Sequence, residues 1–152
     1  QVIIEAFKNK NNPYIVIMHM QGEPSTMQVS PSYNFTPIDI YTYLEERINF
    51  LISRGIPKHY IAIDVGFGFG KTVSDNLSLI DWMPLFHGLG VPIIVGVSRK
   101  STIAKIDNNA PVDKRIGGSI ALTLKSIDAG VQIVRSHDIQ ETRQAIKLWH
   151  AY

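Results

Sequence analysis

Four short polar clusters carry most of the chemistry available to this sequence. They are His19-Met20-Gln21-Gly22, Asp64 with the loop Gly66 to Thr72, Ser98-Arg99-Lys100-Ser101, and Arg135-Ser136-His137-Asp138. One carboxylate, Asp64, stands among the cations Arg99, Lys100 and Arg135, and His137 can add a further charge. That set suits an anionic ligand with a polar aromatic head. Arginine forks onto phosphate and also stacks on a flat ring. A buried carboxylate accepts two N–H bonds from an amidine-like edge, such as a 2-amino-4-oxo pyrimidine presents. Gly66, Gly68 and Gly70 let the chain turn tightly and approach a ligand closely.

The stretch IDVGFGFGKT, Ile63 to Thr72, resembles a phosphate loop but matches neither familiar pattern. A P-loop needs a glycine where Val65 stands, and Gly66 falls one residue late. The dinucleotide pattern accepts Gly66 and Gly68, but its third glycine falls on Lys71.

Each candidate also has a plainer reading. Asp64 could brace the glycine loop, Lys71 could be a solvated or loop-bracing lysine, and Arg99 could pair with a neighbouring helix. His137 could start a helix, and His19 divides evenly between core and site. Met18, Met20 and Phe69 could fill the core. His59, His87 and His150 read as surface residues, and Trp82 and Trp149 as helix packing.

The elements that must position these groups alternate. Tyr14–Met18, Tyr60–Ile63, Val91–Val97 and Val131–Val134 are nearly continuous apolar runs, as in strands covered on both faces. Between them lie helix signals. Thr36 caps a helix with Pro37 in its first position and the stripe Ile40, Leu44, Ile48, Leu51 and Ile52. Ser74 caps another, with Leu77, Ile80 and Met83, kinked or ended by Pro84. Ile120, Leu124 and Ile127 lead to Gly130 as the residue after a helix, and Asp138 with Glu141 forms a capping box for a helix carrying Ile146 and Trp149. This βα rhythm predicts an α/β fold with a parallel sheet. Each polar cluster then follows a strand, at the end where such sheets bind ligands.

The 152 residues suffice for one domain with a core, and a net charge of +2 with dispersed basic residues gives no footprint for nucleic acid. With no cysteine, disulfides, zinc–thiolate sites and thiol nucleophiles are excluded. The apolar runs fall short of a membrane span, which needs about 20 residues, and the composition fits a cytoplasmic protein. The opening Gln1–Lys8 reads like the end of a helix already under way, so the sequence reads as part of something longer.

The ordered motifs VIMHMQGEPSTMQ (16–28), IDVGFGFGKT, VGVSRKS (95–101), RIGGS (115–119) and IVRSHDIQETRQA (133–145) resemble the C-terminal half of the dihydropteroate synthase family. The resemblance spans nearly the whole chain. It implies a (β/α)8 barrel, of which residues 1–152 supply about the last four units. It also implies transfer of a dihydropterin methyl group from its pyrophosphate ester to p-aminobenzoate, with pyrophosphate leaving early. Lys100, Arg135 and His137 are then the catalytic residues. Asp64 holds the amino-pyrimidine edge, and Lys100 the pterin carbonyl and ring nitrogen. Arg135 stacks on the pterin and, with His137, binds pyrophosphate. Phe69 and Ser101 help form the p-aminobenzoate pocket, Met18 or Met20 lines the pterin slot, and Gly68 lies against the substrate. RIGGS is expected to start a helix. The family implies Mg2+ held by a ligand outside this chain, with no metal ligand in it, and a homodimer as the full-length enzyme. Val65 departs from the family's proline. A corrinoid-linked methyltetrahydrofolate methyltransferase and a non-catalytic pterin-binding fragment are the competing readings. Four units alone would leave both sheet edges unpaired and strand the inward side chains of Ile15, Ile61, Ile93 or Ile133, or their immediate neighbours.

Overall fold

The computed structural model describes residues 2–9, 13–23, 25–27 and 29–151. Its helices are α1 (Val2–Asn9), α2 (Thr36–Ser53), α3 (Val73–Asp81), α4 (Ser101–Ile106), α5 (Ile116–Asp128) and α6 (Ile139–Trp149). Its strands are β1 (Ile15–Met18), β2 (Ile61–Asp64), β3 (Ile93–Val95) and β4 (Ile133–Val134). The four strands form one parallel sheet in the order β1-β2-β3-β4, so every connection steps to the next strand. Pro24 and Gln28, within the first motif, lie outside the described residues.

Register separates the two faces of the sheet. Ile15 pairs with Ile61, Ile17 with Ile63, Ile63 with Ile93, and Val95 with Val134. These residues pack with Ile40, Leu44, Leu79 and Phe86 from the helical layer. Val16 pairs with Ala62, Asp64 with Ile94, and Ile94 with Ile133, on the opposite face. There Val16 is 52% exposed and Ile133 43%. Of the positions expected to point inward Ile133 does so, and for the other three it is an immediate neighbour that does. Ile15, Ile61 and Ile93 face the helices, and the bare face carries their neighbours Val16, Ala62 and Ile94, with Ile133. A strand that is apolar throughout does not reveal its parity.

The helix starts also differ from expectation. Thr36 is the first residue of α2, not its cap, because its hydroxyl donates to Asp75 Oδ1 (2.5 Å). In that helix Ile52 is exposed, whereas Ile40, Leu44, Ile48 and Leu51 are buried. Thr72, not Ser74, caps α3, through a reciprocal pair: Asp75 N–H donates to Thr72 Oγ1 and Thr72 N–H to Asp75 Oδ2. The helix ends at Asp81, and Pro84 sits inside a following 3-10 turn, Met83–Leu89. In α5 the buried face belongs to Ser119, Thr123 and Ser126, while Ile120, Leu124 and Ile127 are half-buried. Ser119 and Ser126 return their hydroxyls to the carbonyls of Arg115 and Leu122, which lets small polar residues sit inside. Gly130 follows with φ +87°, as expected of a residue closing a helix. Asp138 makes no capping bond for α6, because Arg99 takes its carboxylate. Trp82 and Trp149 lie half out of the surface. Trp82 meets Phe35 edge-on, and Trp149 Nε1 donates to Asp128 (2.6 Å).

Beside β4, an open groove of about 580 Å³ runs along α6 past Ile139 and Ile146. Covering one Val or Ile side chain is worth about 1.5–3 kcal/mol, against a net domain stability of about 5–15 kcal/mol. Residues 1–152 expressed alone should therefore self-associate through the bare face and the β1 and β4 edges. Analytical ultracentrifugation should show concentration-dependent oligomers. A monomer that unfolds cooperatively would contradict this.

Candidate functional site at the C-terminal strand ends

All four polar clusters converge at one end of the sheet. Asp64 closes β2 with its side chain 5% exposed. Its Oδ1 accepts from Gly66 N–H (2.8 Å) and its Oδ2 from Arg135 Nη2 (3.1 Å). Asp64 thus does brace the glycine loop, and its second oxygen is held by Arg135. Val65 is buried in the core cluster beneath.

The loop that follows runs through three left-handed glycines, Gly66 (φ +71°), Gly68 (φ +82°) and Gly70 (φ +63°). Gly66 is obligatory, because a Cβ there would lie 1.8 Å from the His19 carbonyl oxygen. Asn76 Oδ1 accepts from Gly68 N–H (2.7 Å), and the Tyr33 hydroxyl donates to Gly70 O (2.6 Å). Below the loop, Lys71 is buried, not solvated. Its Nζ donates to Gly66 O and Phe69 O (both 2.9 Å) and meets His19 Nδ1 at 3.0 Å. Burial pulls the Lys71 ammonium down to about 7, against the opposing pull of Asp64 and Asp75. Burial, with Lys71 nearby, lowers His19 to about 4, which keeps the imidazole neutral as Lys71's acceptor. His19 is therefore a buried support of the loop, and Tyr43 packs edge-on against its ring.

Lys100 extends from the end of the β3 segment, its ammonium 3.8 Å from the centre of the Phe69 ring. Burial and then Arg135 lower its pKa, while Asp64 opposes them. His137 Nδ1 lies 3.1 Å from Ser98 Oγ, which also accepts from the His137 backbone N–H. Gly96 leaves room for the Arg135 guanidinium, since a Cβ would lie 2.8 Å from Nη2. Gly96, Ser98, Lys100, Arg135, Ser136 and His137 enclose a cavity of about 300 Å³.

A second layer shapes the turn before Lys100. Arg99 has φ +57°, and its backbone N–H donates to Ser119 Oγ (2.9 Å). Arg115 Nη1 donates to Arg99 O (2.9 Å) and its Nε to Ala110 O (2.8 Å). The Arg99 guanidinium makes a two-pronged pair with Asp138, which raises the Arg99 pKa and lowers that of Asp138. Arg99 thus pairs with a neighbouring segment, the plainer of its two readings. RIGGS does start a helix, α5, and also supports this turn.

Of the remaining candidates, Met18 pairs in register with Asp64, half-buried on the same face, and Met20 is half-buried just beyond the strand. Phe69 and Gly68 are half-buried at the rim, and Ser101 is exposed at the start of α4. His59, His87 and His150 are exposed. Among the described residues no three His, Asp or Glu side chains gather as a metal site, and the site's own carboxylate is engaged by Gly66 and Arg135. These residues do not fit a magnesium centre. No helix among them is long and apolar enough to cross a membrane. The supports that sequence reading missed are Asn76, Tyr33 and Gly96. A glycine inside an Ile/Val run was the signal for Gly96, while Asn76 and Tyr33 offered none without the fold.

The family model described as pterin binding enzyme matches residues 4–137. A dihydropteroate synthase of Haemophilus influenzae is 42% identical over 137 residues, which are 90% of this chain and 50% of that protein. The solved dihydropteroate synthase of Yersinia pestis with a sulfonamide superposes with TM-score 0.88 at 36% identity, over 91% of this chain and 50% of that one. That of Xanthomonas albilineans with 4-aminobenzoic acid gives TM-score 0.87 at 34% identity, over 97% and 52%. The chain spans about half the length of the curated relatives it matches, and its sheet is half of a (β/α)8 barrel. With Asp64, Lys100 and Arg135 converging at the strand ends where that match runs, the chain belongs to the pterin binding enzyme family.

Proposed function

We propose that the whole protein is a dihydropteroate synthase. It condenses 6-hydroxymethyl-7,8-dihydropterin pyrophosphate with p-aminobenzoate, giving 7,8-dihydropteroate and pyrophosphate. The observation that carries this reading is the juxtaposition of one buried carboxylate with the cation-lined cavity at Lys100 and Arg135. Asp64 Oδ2 takes the amino-pyrimidine edge when pterin replaces Arg135 as its partner. Lys100 reaches the pterin carbonyl and ring nitrogen, and the freed Arg135 stacks on the ring while turning charge toward the pyrophosphate with His137. As the bond between the pterin methylene carbon and the pyrophosphate oxygen breaks, negative charge grows on the leaving group. Fixed cations stabilise that charge more than they stabilise the ground state. The arylamine nitrogen then forms the new C–N bond and loses a proton. Phe69 and Ser101 border its pocket, and Met18 or Met20 the pterin slot. Magnesium, which the resemblance implies, would be held by groups outside residues 1–152. We place the protein in the cytoplasm, as a homodimer.

The division of roles is testable in the full-length protein. Arg135→Ala should weaken binding of both free pyrophosphate and a pterin analogue, by roughly tenfold or more for each charge-assisted hydrogen bond removed. Lys100→Ala should weaken pterin binding alone. Calorimetry that returned the same ligand profile for both variants would contradict the assignment. The cavity also disfavours the methyltransferase reading, because methyl transfer releases no pyrophosphate for these cations to hold.

A further inference from the structure

Lys71 is 2% exposed and does not line the cavity between Lys100 and Arg135. A buried ammonium is costly, yet among the described residues it makes no ion pair within salt-bridge reach. Its three donors instead match three acceptors: Gly66 O, Phe69 O and His19 Nδ1. The charges facing it are Asp64 at the end of β2, Asp75 in the first turn of α3, and Lys100 across the site. A neutral amine would offer only two N–H groups, and an apolar side chain none.

The acceptors belong to two segments with different duties. Gly66 and Phe69 belong to the loop whose Gly66 N–H holds Asp64 and whose Phe69 ring sits under Lys100. His19 belongs to the segment leaving β1, and its backbone N–H is fixed to Asp64 O (3.1 Å). The left-handed Gly66, Gly68 and Gly70 leave this loop little conformational preference of its own. We propose that Lys71 is a positioning residue for the arylamine side of the site, clamping the Phe69 carbonyl and the loop against His19 so that the Phe69 ring stays under Lys100. The proposal rests on the synthase reading for the identity of the arylamine, but not for the clamp itself.

Lys71→Met in the full-length protein keeps the length of the side chain and removes all three bonds. Amide hydrogen exchange at Gly66 and Phe69 should accelerate, and the KM for p-aminobenzoate should rise, each by roughly tenfold or more. Affinity for inorganic pyrophosphate, held away from the loop, should stay within about twofold of wild type. His19→Asn, whose Oδ1 replaces the accepting nitrogen, should retain most of the function, whereas His19→Leu should behave like Lys71→Met. The His19 pair supplies the test if Lys71→Met does not fold. Unchanged exchange and KM, or an equal loss of pyrophosphate and p-aminobenzoate binding, would overturn the proposal. If the wild-type protein binds no arylamine, the synthase reading falls, and the exchange rates alone decide whether Lys71 clamps the loop.

Discussion

Gly66→Ala is expected to destabilise the protein by roughly 2–6 kcal/mol and to remove pterin binding with it. A non-glycine residue held in the left-handed region costs about 1–3 kcal/mol, and forcing atoms into a filled space typically adds about 1–3 kcal/mol. Both apply here. Gly66 has φ +71°, and the added methyl would lie 1.8 Å from the His19 carbonyl oxygen. That oxygen is main chain, and its residue is bonded to Asp64 O across the sheet, so it cannot swing aside as a side chain could. Gly68→Ala provides the control. It shares the left-handed φ, but its methyl meets only the flexible Lys100 side chain at 3.0 Å, so its loss should be smaller. Urea unfolding of the full-length variants checks the order. Equal stabilities for Gly66→Ala and wild type would contradict it.

Asp64→Asn is expected to leave the fold intact and to weaken pterin-analogue binding by about ten- to a hundredfold. The amide oxygen can still accept from Gly66 N–H, as Oδ1 does now. The other atom becomes an NH2 group pointing where the Arg135 guanidinium and the pterin edge both present donors. Losing a hydrogen bond to a charged group costs about 1.5–3 kcal/mol, which is that range of affinity. Calorimetry should find the loss in pterin binding, with the unfolding midpoint little changed. Wild-type affinity for the analogue would remove Asp64 from the site.

The strand positions were legible because buried parallel strands are nearly continuous runs of Ile and Val, and the candidate site was legible because a polar cluster follows each run. Which strand residue faces which way was not, since a strand covered on both faces has no alternation to read. Ile61 and Ala62 look interchangeable until register assigns them. Helix caps failed for a related reason. Thr36 and Asp138 have the right type for caps, but Asp75 and Arg99, each 39 residues away in sequence, claim their side chains. Lys71 could be read as solvated or as bracing the loop, and composition alone does not choose between the two. Its burial depends on two carbonyls and a histidine that only the folded loop brings together.

We propose that these strand ends serve the joining of a pterin to an arylamine. That role is tested most directly by incubating the full-length protein with 6-hydroxymethyl-7,8-dihydropterin pyrophosphate and isotopically labelled p-aminobenzoate, then identifying the products by mass spectrometry. Labelled 7,8-dihydropteroate and pyrophosphate are expected in equal amounts, with both lost in Arg135→Ala. Release of pyrophosphate without labelled pteroate, or no turnover by a protein that binds both substrates, would contradict it.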